Sequence, residues 1–129
     1  MNTLLINGNI LPTGINSLLR MHWAVRRKKQ AEITENIKEL NPHYTEYKYS
    51  DPVRVEYTRK SIRYMDWDNA AGSFKLLGDS LVDLEILPDD NPLIILEFVV
   101  DQKKVAKRIE QGFEIKICAP HTLPELRVK

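Results

Sequence analysis

Cysteine is almost missing from this chain. The single one, Cys118, excludes an internal disulfide, and with no second cysteine nearby it cannot begin a thiolate zinc site. Within its apolar, alternating segment it reads as a small core residue. The three histidines, His22, His43 and His121, lie far apart in sequence and match no metal-ligand spacing. No apolar run approaches the roughly 20 residues of a membrane span. The opening Met1-Asn2-Thr3-Leu4-Leu5-Ile6 has neither a basic n-region nor a cleavage site, so the expectation is a cytoplasmic protein without a membrane partner. No Gly/Ser/Pro-rich linker divides the 129 residues, which implies one domain, 1–129, around one core. Net charge is scarce as well, +1, while 43% hydrophobic and 29% charged residues exclude disordered and fibrous classes.

The near-zero net charge conceals a segregation. Residues 1–65 carry 11 basic and 6 acidic side chains, whereas residues 66–101 carry 9 acidic ones and a single base, Lys75. A protein that cuts a polyanion needs both parts: a basic surface for phosphates and an acidic nest for a metal ion. Chance clustering on a solvated surface produces the same pattern, so other signals must decide.

Residues 3–10 read as a strand bent at Gly8 and closed by Pro12-Thr13-Gly14. A helix follows, capped by Asn16 or Ser17, with Ile33, Ile37 and Leu40 at core spacing and Asn41-Pro42 as its stop. Its basic run Arg26-Arg27-Lys28-Lys29 precedes Glu32, Glu35 and Glu39, against the helix dipole, as an anionic partner would favour. Val53 to Thr58 alternates as a half-buried strand, and Asp68 or Asn69 caps a second helix from about Ala70 to Val82 that turns Phe74, Leu77, Leu81 and Leu84 to the core. Gly72 and Gly78 weaken that helix. Leu93 to Val100 is the most apolar strand, Asp101 caps a short helix through Ile109, and Phe113, Ile115 and Ile117 alternate in a last strand before an irregular tail. The fold class expected is α/β in the broad sense (α+β): a mixed sheet of about four strands flanked by two main helices.

The chemistry concentrates at Asp66-Trp67-Asp68-Asn69, Lys75 and Asp89-Asp90. On extended backbone Asp66 and Asp68 would face one ligand, with Trp67 opposite. The turn at Asp89-Asp90 can fold back beside them. Clustered carboxylates raise one another's pKa unless a cation intervenes, and three or four such oxygens suit Mg²⁺ or Mn²⁺ better than Zn²⁺. Lys75, two helical turns beyond Asp68, can reach the same side and steady charge developing on a phosphoryl group. A plain i, i+4 pair with Asp79 explains it equally well, at about 0.3–0.5 kcal/mol. Caps, turns and surface loops likewise account for each acidic pair alone; a lone lysine between two of them is what those accounts leave unexplained.

The string Asp66-x-Asp68-Asn69, then Lys75-x-x-x-Asp79-x-Leu81, then Leu87-x-Asp89-Asp90, resembles the RusA family of Holliday junction resolvases of bacteria, phages and prophages. Pro52-Val53-Arg54-Val55 and the basic stretch after the first strand extend the likeness over about residues 4–117. The resemblance implies a Mg²⁺-dependent homodimeric endonuclease that resolves four-way DNA junctions by paired symmetric nicks, in recombination and repair. It implies Asp66, Asp68 and Asp90 as metal ligands with Asp89 close by, Lys75 as the catalytic lysine, and Arg20, Arg26, Arg27, Lys28, Arg59, Lys60 and Arg63 as phosphate contacts. A twofold dimer would match the junction's own pseudo-symmetry. Two other readings stand beside it: a metal-dependent nuclease for flaps or other branched DNA, and a catalytically silent DNA-binding or interaction domain.

Overall fold

The computed structural model describes residues 2–121. Period-two burial builds a four-stranded mixed sheet from β1 (Leu4–Gly8), β2 (Val53–Ser61), β3 (Ile95–Lys104) and β4 (Gly112–Cys118), in the spatial order β1-β4-β2-β3. The central β4 runs antiparallel to β1 and to β2, while β3 lies parallel to β2 at the sheet's edge. A parallel neighbour cannot be reached by a hairpin, so the chain between β2 and β3 must cross over one face. Residues 62–94 make that crossing, and the acidic motif lies within them.

One face of the sheet is covered. Leu4, Ile6, Val53, Val55, Tyr57, Phe113, Ile115 and Ile117 bury themselves there. The helices α2 (Trp23–Leu40) and α4 (Lys75–Asp83) supply Ile33, Ile37, Leu76, Leu77 and Leu81 to the same core. Alternate residues, among them Arg54, Glu56, Lys60, Glu114 and Lys116, face the other way and stay exposed or half-buried. The expected mixed α+β domain is thus the one observed. Leu40 departs from it, exposed at the end of α2.

Both long helices are broken where one was expected. The first divides into α1 (Ile15–Arg20) and α2, and the residue that starts α1 is Gly14, not Asn16 or Ser17. His22 restarts the chain by accepting the Ala24 N–H on its ring nitrogen Nδ1. The second divides into α3 (Trp67–Gly72) and α4. Asp66, rather than Asp68 or Asn69, stands at the N-cap of α3, without using its side chain as a cap. Ser73 ends α3: its Oγ donates to the Ala70 carbonyl and accepts from the buried Tyr57 hydroxyl, 2.6 Å away. Tertiary anchoring therefore sets this break, where glycine content alone had suggested a weak helix.

The short helix expected after Asp101 is absent. Residues 101–104 continue β3, held by Thr58–Ser61 of β2 in parallel register, and only a single 3₁₀ turn at Arg108–Glu110 follows. A second 3₁₀ turn spans Pro42–Glu46 in the link between α2 and β2. The tail beyond His121 lies outside the described residues.

Candidate functional site

The crossover leaves β2 and is pinned at once. Gln102 of β3 closes two hydrogen bonds on Met65, accepting its backbone N–H and donating to its carbonyl, both at 2.9 Å. This clamp fixes the residue immediately before Asp66. Asp66 itself is extended (φ −59°, ψ 146°), but Trp67 and Asp68 already belong to α3. The expectation of two carboxylates side by side on one extended segment is therefore corrected: the backbone turns helical between them. Both are exposed, Asp68 in the first helical turn where the dipole favours a negative charge. Trp67 is 59% exposed, so it does not enter the fold. The Asn69 side chain accepts the Asn16 N–H at 3.2 Å and ties α3 to α1. A Cβ at Gly72 would overlap the Ile15 side chain and one at Gly14 would overlap the Asn69 amide, so both glycines permit this close approach.

The first turns of α4 carry the lysine. Lys75 Nζ lies 3.2 Å from Asp79 Oδ1 and 4.0 Å from Asp90 Oδ2, so the i, i+4 pair and the long-range partner coexist. Asp90 reaches this position across Gly78, where an added Cβ would stand 3.1 Å from its Oδ2. Asp89 turns inward on its own loop, accepting the Asp90 N–H at 2.7 Å and the Asn91 side-chain amide at 3.0 Å. Burial raises the Asp90 pKa above the usual carboxylate range; Lys75 opposes this, and the nearby Asp79 and Asp89 add to it. A carboxylate whose charge is penalised chiefly by burial, with Asp79 and Asp89 beside it, is one that a further cation would stabilise.

All the expected ligands are carboxylates, the donor type that fits Mg²⁺ or Mn²⁺. Their arrangement is more dispersed than expected. Among the described residues no hydrogen bond or ion pair joins Asp66 or Asp68 to Lys75 or Asp90, and these carboxylates do not form a group with oxygens within 4.8 Å. Lys75, Asp79 and Asp90 are joined by ion pairs with Asp89 adjoining them, and neither Asp66 nor Asp68 takes part in those contacts.

The basic residues divide by environment. Arg20, Arg27, Lys28 and Arg63 are exposed and Arg26 is half-buried. Arg27 stacks over the exposed Trp23 ring, its guanidinium carbon 5.2 Å from the centroid. Lys60 pairs with Glu114 at 3.4 Å and, with Lys103 and Lys104, lines a cavity of about 460 Å³. Arg59 is different. It is only 6% exposed and donates from Nε to the Pro12 carbonyl at 3.1 Å, bracing the loop before α1.

Two features escaped the sequence reading. Gln102 had no signal, because its partner is a backbone reached only when β3 forms. The second is the only group of three metal-ligating types among the described residues: Glu56, Cys118 and His121, with ligand atoms within 4.8 Å of one another. Its signal was present as Cys118-Ala119-Pro120-His121, a two-residue ligand spacing. No protein-family model matches this chain, and no curated protein matches it.

Proposed function

We propose that this chain is a metal-dependent endonuclease for branched DNA, resolving four-way junctions in the manner of the RusA family it resembles. The observation that carries the proposal is the Lys75 ammonium held between Asp79 and Asp90 on the same crossover that presents Asp66 and Asp68. Asp66, Asp68 and Asp90, with Asp89 beside them, would hold Mg²⁺ or Mn²⁺. Such an ion supplies hydroxide at neutral pH and charge stabilisation at the scissile phosphate. Lys75 would bind a phosphate oxygen and oppose the charge that grows on it. Asp79 orients the lysine. Arg20, Arg26, Arg27, Lys28 and Arg63, with Lys60 at the lysine-lined cavity, would hold the flanking backbone.

A silent DNA-binding domain is the second reading, favoured by the fact that Asp66, Asp68, Asp89 and Asp90 do not form a group with oxygens within 4.8 Å of one another. Cleavage of a labelled four-way junction and of a linear duplex of the same sequence, with Mg²⁺ or EDTA, separates the two. The nuclease is expected to nick the junction symmetrically with Mg²⁺ alone, and Asp68→Asn is expected to abolish nicking without weakening junction binding, since it removes a phosphate-repelling charge. Tight binding without cutting in Mg²⁺ or Mn²⁺ would establish the silent domain. Competition by flap substrates tests the remaining alternative.

A further inference from the structure

The exposed face of the sheet carries the Glu56, Cys118 and His121 group, independent of everything proposed for the crossover. We infer that these three side chains form a binding site for Zn²⁺ or a similar borderline transition metal, built across β2, β4 and the turn that follows β4. Carboxylate oxygen, thiolate sulfur and imidazole nitrogen are the mixed donor set that zinc accepts and that Mg²⁺ does not.

The register places the ligands. Cys118 pairs with Arg54 across β4 and β2, and Glu56 lies two residues on from Arg54, on the same side of the pleat. His121 returns over this face because its backbone N–H donates to Glu97 Oε1 at 2.6 Å, a carboxylate on neighbouring β3. Around a tetrahedral zinc, ligand atoms stand about 3.3–3.6 Å apart. Closing from within 4.8 Å asks for side-chain rotations that move each atom by about an ångström.

The surrounding charges define the chelating atoms. Arg54 holds Glu56 Oε2 at 2.9 Å and faces Glu97 Oε1 at 3.6 Å, which leaves Glu56 Oε1 for the metal. Thiolate and carboxylate together balance a divalent ion. Lys116 also acts on Glu56 and works against cation binding, so affinity is expected to fall short of a closed four-ligand structural site. Three protein ligands leave a fourth position to water.

The test is titration of the full chain with Zn²⁺ against a chromophoric chelator, and with Co²⁺ followed by absorption. The expected result is one ion per chain, a thiolate-to-cobalt charge-transfer band, and a loss of zinc affinity of at least about tenfold in His121→Ala and in Glu56→Gln. Cys118→Ser is expected to remove the band; because Cys118 is buried, the exposed His121→Ala keeps the test decisive if the serine variant does not fold. Asp90→Asn is expected to leave zinc binding unchanged, which separates this site from the crossover carboxylates. No binding, a cobalt spectrum without the thiolate band, or equal zinc affinity in wild type and His121→Ala would overturn the inference.

Discussion

Asp90 is where a local conflict has a measurable sign. Its folded pKa stands above the ordinary 3.8 because burial penalises the charge more than Lys75 offsets it. Between those two pKa values the folded state binds more protons than the unfolded chain, so its contribution to stability falls as pH rises through that window. Above the window the ionised Asp90 costs stability. Asp90→Asn is therefore expected to raise the melting temperature at pH 7 by about 1–3 °C and to give no gain near about pH 3, as read by thermal unfolding across pH. If the proposed function holds, the same change abolishes cleavage, a trade of stability for chemistry common at active sites. The conflict itself was not legible in the sequence. Asp89-Asp90 advertised a turn, and only the approach across Gly78 shows which of the two carboxylates meets Lys75.

At the scale of elements, strands were easier to read than helices. Alternation in Val53-Arg54-Val55-Glu56-Tyr57-Thr58 and in Phe113 to Ile117 states which face is buried, and the register follows it. The break between α3 and α4 depended on a partner elsewhere in the chain, Tyr57 hydrogen-bonded to Ser73, whereas the break before α2 rests on the local His22 cap. The last four residues of β3, Asp101-Gln102-Lys103-Lys104, have the polarity of a helix start and become strand through pairing with β2. That tertiary override also creates the Gln102 clamp. Gln102→Ala is expected to cost about 1–2 kcal/mol in urea unfolding, since two hydrogen bonds to a half-buried backbone are lost together. Under the proposed function it should lower junction cleavage while leaving junction affinity near wild type, because Asp66 loses its fixed approach and the basic residues do not.

For the whole molecule, the sheet has one face covered by helices, and β1 and β3 are its outer strands among the described residues. No helix among the described residues is long and apolar enough to cross a membrane. Among the described residues β3 has β2 as its one strand neighbour, and it exposes Phe98 and Val99. With the symmetry of the proposed reaction, this leads to the expectation of a homodimer. Light scattering at micromolar concentration should give twice the 15.0 kDa of one chain, and Val99→Lys should return it to the monomer mass. A monomer mass for the wild type, persisting with junction DNA, would count against the dimer.

The parallel pairing of β2 with β3 also governs how the molecule acquires its shape in time. A hairpin can zip from a turn, but no strand pair of this sheet is joined that way: β2 and β3 meet only after residues 62–94 have been looped out, and β4 reaches β2 and β1 across longer stretches still, so each pairing carries a loop-closure cost. Met65 gains its Gln102 anchor when β3 joins β2. A chain emerging from the ribosome would thus leave Met65, and the approach to Asp66, without this clamp until β3 has been made, and amide protection at Met65 should appear together with that of β3.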